Sequence, residues 1–217
     1  MKILLVDDHP IVRRGMKSIL ESEGNYIVCG EAEDANGALK IIGEVDPDLA
    51  IVDIELKGST NGIELTKAIK ERYPNIVTLV MSIDDGTLYA ERAIRAGARG
   101  YIAKEEASEK ILSAIEVVMD GKLYLSSEIS TRIAAKHILS AGDALTSQVD
   151  RLSNRELEVF RLIGQGYKRG EIAKKLSINI NTIESHRRKI KEKLNVQSSA
   201  ELSRVAVQWN VTQTRKR

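Results

Sequence analysis

Short apolar runs alternate with amphipathic stretches along the first 120 residues of the chain. The runs are rich in Ile, Val and Leu without polar alternation, which is typical of strands buried on both faces. Apolar residues at helical spacing follow each run, so the pattern indicates five βα units. We therefore predict an α/β fold with a five-stranded parallel, doubly wound sheet and right-handed crossovers. The five predicted strands are residues 2–7, 26–32, 48–53, 76–82 and 100–104.

From residue 151 onward the pattern is helical throughout. A Ser153-x-x-Glu156 capping box starts the first helix of this part. A short helix over 169–176 and a four-residue turn follow, and we predict that Asn181 caps the next helix, which continues to Leu194. This layout is typical of a helix-turn-helix. In the last helix Trp209 has two open interpretations, a contact with a second copy of the chain or a core contact within the domain.

These patterns divide the chain into three parts. Residues 1–121 form the predicted sheet domain, residues 122–147 a partly helical linker, and residues 148–217 an all-α helix-turn-helix domain.

The two parts of the chain also differ in net charge. The net charge is only +2, yet residues 1–146 hold 17 Lys and Arg against 24 Asp and Glu, or −7. Residues 147–217 hold 16 against 7, or +9. An acidic first part and a basic last part indicate two modules with different partners, and the basic one suits nucleic acid or an anionic surface.

Composition excludes several classes of protein. A single cysteine, Cys29, excludes an intramolecular disulfide framework and a Cys-rich zinc site. No apolar run reaches the ~20 residues that span a bilayer, and the start MKILLVDDHP is not a signal peptide. We therefore expect a cytoplasmic protein without a membrane partner.

Polar residues stand at the carboxyl ends of four predicted strands: Asp7 and Asp8, Asp53, Ser82, and Lys104. These ends meet at one edge of a parallel sheet, where ligand sites form. Three carboxylates there would resist joint ionisation, and Mg²⁺ would relieve their repulsion. One carboxylate could then act as a nucleophile toward a phosphoryl group. A simple helix-capping role is the alternative, chiefly for Asp8.

Residues 1–120 resemble the CheY-like receiver domain of response regulators, through LLVDDHP, IVDIEL around Asp53, Ser82, and AGARGYIAKE. The resemblance implies that Asp53 is phosphorylated and that Ser82 and Lys104 contact the phosphoryl group, with Tyr101 as the switch aromatic that turns inward. It also implies a Mg²⁺ cofactor, and the implied ligands are Asp7, Asp8, Asp53 and the backbone carbonyl of Glu55.

The loop after Asp53 departs from this family. A proline usually stands four residues after the phosphorylated aspartate and a glycine eight residues after it. Here Lys57 takes the first position, and Gly62 comes nine residues on. We therefore expect a loop that is one residue longer and less rigid.

The predicted helix 181–194 has an apolar face and a basic face. Such a basic face can enter the major groove of DNA. The pattern fits equally well a solvated face braced by the i,i+4 pairs Glu184–Arg188 and Arg188–Glu192.

Residues 151–209 resemble the LuxR-type helix-turn-helix domain of the NarL/FixJ class, through LSNRELEVFRLIGQG, EIAKKLSININTIESHRRKIKEKL and SSAEL. The resemblance implies binding to double-stranded DNA. The implied base readers are Glu184, Ser185 and Arg188. The implied phosphate contacts are Arg155, Lys168, Arg169, Asn181, Thr182, Lys189 and Lys193.

Together the two resemblances imply a two-component response regulator that controls transcription. A sensor histidine kinase would phosphorylate Asp53, phosphorylation would favour a homodimer, and RNA polymerase is a further partner that the family allows. The protein is not expected to be an enzyme beyond catalysing its own phosphoryl transfer and slow dephosphorylation. Two alternatives stay open: DNA binding independent of phosphorylation, and a protein-interaction switch without specific DNA binding.

Overall fold

The five predicted strands form one parallel sheet in a computed structural model that describes residues 1–22, 24–83, 87–138 and 148–214. The strand order is β2-β1-β3-β4-β5, which confirms the predicted doubly wound sheet. The strands are β1 (Lys2–Val6), β2 (Ile27–Ala32), β3 (Leu49–Asp53), β4 (Val77–Ser82) and β5 (Gly100–Ala103). The helices of this part are α1 (Pro10–Ser22), α2 (Ala35–Val45), α3 (Gly62–Arg72), α4 (Thr87–Ala96), α5 (Lys104–Met119) and α6 (Ser127–Ile138).

The sheet separates two apolar cores. Alternate residues of β1 face opposite sides, so that Ile3 packs in the core that includes α1 and α5, while Leu4 packs in the core that includes α2 and α3. Burial on both faces explains why the strands are continuous apolar runs in the sequence.

The chain after α5 is attached to the open edge of β5. Tyr124 forms an isolated parallel bridge with Gly100; its carbonyl accepts a hydrogen bond from Tyr101 N, and its own N–H donates to Arg99 O, both at 3.0 Å. Helix α6 follows and packs on α4. The compact unit that contains the sheet extends to Ile138. The helical part of the predicted linker therefore packs with the sheet domain, and residues 139–147 lie outside the described residues.

The second compact unit is helical, as predicted. Its helices are α7 (Asn154–Gly164), α8 (Arg169–Lys175), α9 (Ile180–Leu194) and α10 (Ser199–Thr214). The capping box at the start of α7 is confirmed, with Ser153 and Glu156 bonded reciprocally. Trp209 of α10 is buried against Phe160 of α7, with ring centroids 5.7 Å apart. The core interpretation of Trp209 is thus the one that the structure supports.

The predicted cap of helix α9 is wrong by two residues. Asn179 caps α9, and its side chain accepts a hydrogen bond from Asn181 N at 2.8 Å. Asn181 therefore lies in the first turn of the helix. The sequence ININ offers an asparagine at both positions, and the pattern alone did not separate them.

Helix α7 carries a buried ion pair that corrects one predicted site residue. Arg155 is only 4% exposed, and its guanidinium lies 2.6 Å from Glu158 and donates to the carbonyl of Leu176 at 3.0 Å. The predicted phosphate contact by Arg155 is therefore wrong, because its guanidinium is committed inside the domain. The residue fastens α7 to the end of α8.

Within the described part of the chain, no helix is both long and apolar enough to cross a membrane.

Gly62 stands where α3 approaches the end of β3. A Cβ atom on Gly62 would lie 1.8 Å from the carbonyl oxygen of Asp53, so the loop closes at this point only because the residue has no side chain. Gly62 N also donates to the carbonyl of Ile54 at 2.9 Å.

We expect Gly62→Ala to lower the free energy of unfolding by about 3 kcal/mol, because the new methyl group must displace backbone. Urea unfolding of the full chain measures this. Gly15→Ala in α1, where nothing lies within 4 Å of the added Cβ, is the matched control. It should be neutral or stabilise by about 0.5–1 kcal/mol. Equal midpoints for the two variants would contradict the close approach.

We expect Arg155→Ala to destabilise the helical unit by about 3–5 kcal/mol, because it removes the guanidinium that pairs with the buried Glu158 carboxylate. Lys189→Ala, at an exposed position of α9, removes the same charge and should leave the unfolding midpoint unchanged. Thermal unfolding followed by circular dichroism distinguishes the two. If Arg155→Ala were as stable as the wild type but bound DNA more weakly, the predicted contact between Arg155 and a phosphate would be correct after all.

Candidate functional site

The carboxyl edge of the sheet brings two buried carboxylates to one ammonium group. Asp7 follows β1, Asp53 ends β3, and Lys104 begins α5 directly after β5. Lys104 Nζ lies 2.6 Å from Asp7 Oδ2 and 2.7 Å from Asp53 Oδ2. Asp7 and Asp53 are 2% and 1% exposed. The predicted meeting of these three residues at the sheet edge is therefore what the structure shows.

Asp8 and His9 extend this group toward the surface. One potential ligand atom from each of Asp7, Asp8, His9 and Asp53 lies within 4.8 Å of the others. His9 Nδ1 is 2.6 Å from Asp8 Oδ1, and the backbone N–H of His9 donates to Asp7 Oδ1 at 2.7 Å. The three predicted aspartates thus form one cluster, which could hold a metal ion.

The electrostatics of the cluster favour the arrival of a cation. Burial raises the pKa of Asp53 to about 8; the Lys104 ammonium opposes this shift, and the Asp7 carboxylate adds to it. Burial also raises the pKa of Asp8, although His9 opposes the shift. For Lys104, burial alone would lower the pKa, but the carboxylates of Asp53 and Asp7 outweigh it and the pKa is raised. The ammonium therefore stays charged, while the carboxylates resist ionising together.

One carboxylate oxygen of Asp53, Oδ1, is available for a further contact. Its Oδ2 accepts a hydrogen bond from Lys104, whereas Oδ1 is buried and accepts none within the described residues. Glu55 lies two residues further on, at the start of the loop. The part of its backbone carbonyl in metal binding stays a prediction.

Ser82 and Tyr101 occupy the neighbouring strands. Ser82 ends β4, is 4% exposed and lies beside Ala103 in the sheet register, so it stands at the same edge as Lys104. Tyr101 on β5 is completely buried. Its role as the switch aromatic stays a prediction.

The loop between Asp53 and α3 is fastened in a way that the sequence did not reveal. Lys57 Nζ lies 2.6 Å from Glu33 Oε2, and the backbone of Lys57 bridges to Asp34. Asn61 caps α3 by accepting a hydrogen bond from Glu64 N at 3.0 Å. The position usually held by proline is thus tied to the loop that follows β2. No local pattern connects residues 24 positions apart, which is why sequence inspection missed this pair.

Arg13 is a second residue that sequence inspection missed. Its guanidinium donates to the backbone carbonyl of Asp7 and also pairs with Glu31 at 3.3 Å. The side chain thereby joins α1 to β2 directly beside the acidic cluster. One turn of helix separates Arg13 from the Asp-Asp pair, and that proximity was the only available signal.

The second unit presents the predicted polar face of α9. Ile183, Ile190 and Leu194 are buried, whereas the predicted base readers on the opposite side are exposed. Most of the predicted phosphate contacts are exposed as well. The exposed members of the predicted interface are Lys168, Arg169, Asn181, Thr182, Glu184, Ser185, Arg188, Lys189 and Lys193.

At least three members of this face, Arg169, Glu184 and Lys193, already have side-chain partners within the unit. Arg169 Nη1 donates to Glu184 Oε1 at 3.1 Å, which joins the start of α8 to α9. Lys193 Nζ donates to Glu156 Oε2 at 2.6 Å. Burial would raise the pKa of Glu156, but the hydrogen bonds from Lys193 and Ser153 outweigh it and the pKa is lowered. Contact of these residues with DNA stays a prediction.

Two family models match the chain, one in each unit. The response regulator receiver domain matches residues 3–116, and the luxR family of bacterial regulatory proteins matches residues 150–206.

Relatives match over nearly the whole length. The chain is 33% identical over 210 residues to oxygen regulatory protein NreC of Staphylococcus carnosus, covering 95% of this chain and 97% of the relative. NreC of Staphylococcus epidermidis is likewise 33% identical, over 211 residues and with the same two coverages.

Solved structures give the same picture. RcsB of Salmonella enterica serovar Typhimurium, bound to promoter P1flhDC in the presence of phosphomimetic BeF₃⁻, is 27% identical and has a TM-score of 0.64. The match covers 95% of this chain and 98% of that one. A LuxR-family response regulator from Aurantimonas sp. is 35% identical with a TM-score of 0.60, over 63% of this chain and 97% of that one. With both family models in place and relatives matched along its length, the chain belongs to the response regulators that combine a receiver domain with a LuxR-type DNA-binding domain.

Proposed function

We propose that this protein is a cytoplasmic transcription regulator whose DNA binding is controlled by phosphorylation of Asp53 by a sensor histidine kinase. The observation that carries the proposal is the Lys104 ammonium, held between the carboxylates of Asp7 and Asp53. This arrangement leaves Asp53 Oδ1 without a hydrogen bond within the described residues. A buried carboxylate with one engaged and one available oxygen suits nucleophilic attack on phosphorus.

The chain's own residues supply most of the proposed transfer. Asp53 Oδ1 attacks the phosphorus atom of the donor, and the bond from phosphorus to the kinase histidine nitrogen breaks. Lys104 neutralises charge on the phosphoryl oxygens, and Ser82 at the same edge donates a hydrogen bond to one of them. The receiver forms and slowly loses its own acyl phosphate and has no turnover beyond that.

The acidic cluster fits Mg²⁺, which receiver domains generally bind. Asp8 and Asp53 would hold the ion directly, Asp7 through water, and the carbonyl of Glu55 would complete the protein ligands. When bound, the ion supplies positive charge that offsets the carboxylates and the incoming phosphoryl group.

In this proposal, phosphorylation favours a homodimer, and the homodimer binds DNA. The basic, exposed face of α9 supports major-groove binding. RcsB, a structural neighbour with a TM-score of 0.56 and 27% identity, has been solved as two dimers bound to two parallel DNAs. A dimer of this chain would require two half-sites about one helical turn apart, or nearby multiples. Contact with RNA polymerase is part of the proposal as a family property only.

A second candidate function is DNA binding that does not depend on phosphorylation. Two observations favour it: Tyr101 is already completely buried, and Lys57 replaces the usual proline in the loop after Asp53. Under this candidate, Asp53→Ala leaves DNA affinity and dimerisation unchanged.

We expect Mg²⁺ to raise the thermal unfolding midpoint of the wild type, because an ion that binds only the folded state stabilises it by about 2.7 kcal/mol at 100 times Kd. Asp8→Asn should lose this Mg²⁺-dependent shift. Asp120→Asn removes the same charge from an exposed residue at the end of α5 and should keep it. If Asp8→Asn and Asp120→Asn responded equally to Mg²⁺, the ion would not be bound at the cluster.

Acetyl phosphate with Mg²⁺ should add one phosphoryl group to the wild type and none to Asp53→Ala, because Asp53 carries the available oxygen. Intact mass measures this, and chromatographic size and DNA affinity are recorded on the same samples. Growth in size together with tighter DNA binding supports the proposal. If wild type and Asp53→Ala bind DNA equally under these conditions, the second candidate function replaces it.

A further inference from the structure

One ion pair lies within the proposed DNA-binding face itself. Arg169 is the first residue of α8, Glu184 belongs to the first turns of α9, and Nη1 of the former donates to Oε1 of the latter at 3.1 Å. The side chains are 62% and 47% exposed. Both border an open cleft of about 580 Å³, so their outer atoms are accessible from solvent.

The Arg169–Glu184 ion pair contributes little to the free energy of unfolding. An exposed ion pair between long side chains contributes almost nothing to folding, since the loss of side-chain freedom offsets a weak attraction in water. The two helices pack on each other independently of the pair, and each contributes a completely buried apolar residue, Ile172 in α8 and Ile183 in α9. The pair therefore matters less for folding than for the proposed DNA-binding face on which it lies.

A carboxylate on a DNA-binding surface is repelled by the negative charges of the DNA backbone. Phosphates on both sides of the major groove repel Glu184, and an unpaired glutamate there would weaken binding to every sequence. The guanidinium of Arg169 offsets that repulsion. Because arginine has five N–H donors, the bond to Glu184 leaves others for a phosphate oxygen.

The pair also fixes the direction of the Glu184 carboxylate. Glutamate has three rotatable side-chain bonds, and a tether from the neighbouring helix removes much of that freedom before DNA arrives. The contact uses Oε1, and a carboxylate has a second oxygen that can accept from the N4 amino group of cytosine. Thymine presents an acceptor at the corresponding position and would repel it.

We infer that Arg169 is a specificity-determining positioning residue, which orients the Glu184 carboxylate to accept from a cytosine amino group in the major groove. The inference rests on the proposed function, since it presumes sequence-specific DNA binding. It gives Arg169 a role besides the phosphate contact that the family resemblance implies.

Lys168 offers a matched control. It precedes Arg169 at the start of α8, is exposed and carries the same charge, while its backbone N–H donates to Glu171 at 2.6 Å. Lys168→Ala thus removes one cation from the same place without touching the Arg169–Glu184 contact.

The experiment selects a randomised duplex library with the full-length chain, treated with acetyl phosphate and Mg²⁺, and compares base preferences between variants. The variants are the wild type, Arg169→Ala, Arg169→Lys, Glu184→Ala, Lys168→Ala and the double variant Arg169→Ala/Glu184→Ala. Circular dichroism and the unfolding midpoint establish that each variant is folded. Affinities are then measured on the selected duplex and on one with cytosine replaced by thymine.

The wild type should prefer cytosine at one position of each half-site, by about five- to 150-fold for a well-made side-chain-to-base contact. Glu184→Ala and Arg169→Ala should both lose that preference, whereas Lys168→Ala should bind all sequences more weakly and retain it. Arg169→Lys, which keeps the charge without the fork, should recover it only in part. The double variant should bind non-specific DNA more tightly than Arg169→Ala, because it no longer carries an uncompensated carboxylate.

Two results overturn the inference alone: cytosine preference that survives in Arg169→Ala while Glu184→Ala loses it, or preference that survives in Glu184→Ala. In either case the wild type still selects a defined sequence, so the proposed function stands. If the wild type enriches no sequence, specific DNA binding itself is overturned, and the inference with it.

Discussion

The receiver domain depends on one ammonium group that holds two buried carboxylates at the same edge of a sheet. Lys104 lies within 2.7 Å of both Asp7 and Asp53, although the three residues come from different βα units. Burying two carboxylates without a cation is costly, because each loses hydration and repels the other. The parallel sheet supplies the placement, and Lys104 supplies the charge that makes this placement tolerable. Any cation that enters the cluster shares this task, so the affinity for metal and the state of Asp53 are linked.

The loop that follows Asp53 shows how a missing rigid residue can be replaced by contacts. Without the usual proline, the loop is fastened by the Lys57–Glu33 ion pair, the Asn61 cap and the close approach at Gly62. The ion pair is exposed and contributes little on its own, whereas the glycine contact is steric and does not weaken with salt. The geometry near Asp53 is therefore set more firmly at the α3 end of the loop than at Lys57.

Sequence patterns predicted the elements well because burial on both faces and helical spacing are local signals. They placed Asp7, Asp53 and Lys104 together because the carboxyl ends of parallel strands must meet. They failed where the deciding contact is distant. Arg155 looked like one more surface cation, and only the packing of α7 against the end of α8 shows that it is buried beside Glu158. The complete burial of Tyr101 likewise depends on tertiary packing that no local pattern encodes.

In both domains, a carboxylate in an unfavourable electrostatic environment is paired with a cation. In the receiver domain the pair is buried, whereas in the DNA-binding domain it is exposed to solvent. In the receiver, a lysine makes two carboxylates compatible with burial. In the proposed DNA complex, Arg169 of α8 makes the Glu184 carboxylate of α9 compatible with the phosphates of DNA. The consequence differs because the surroundings differ. A buried pair is committed to folding, whereas the exposed Arg169–Glu184 pair has atoms left to contact a ligand. In the proposed DNA complex, the Arg169–Glu184 pair therefore affects which base Glu184 accepts from more than it affects how firmly α8 and α9 pack.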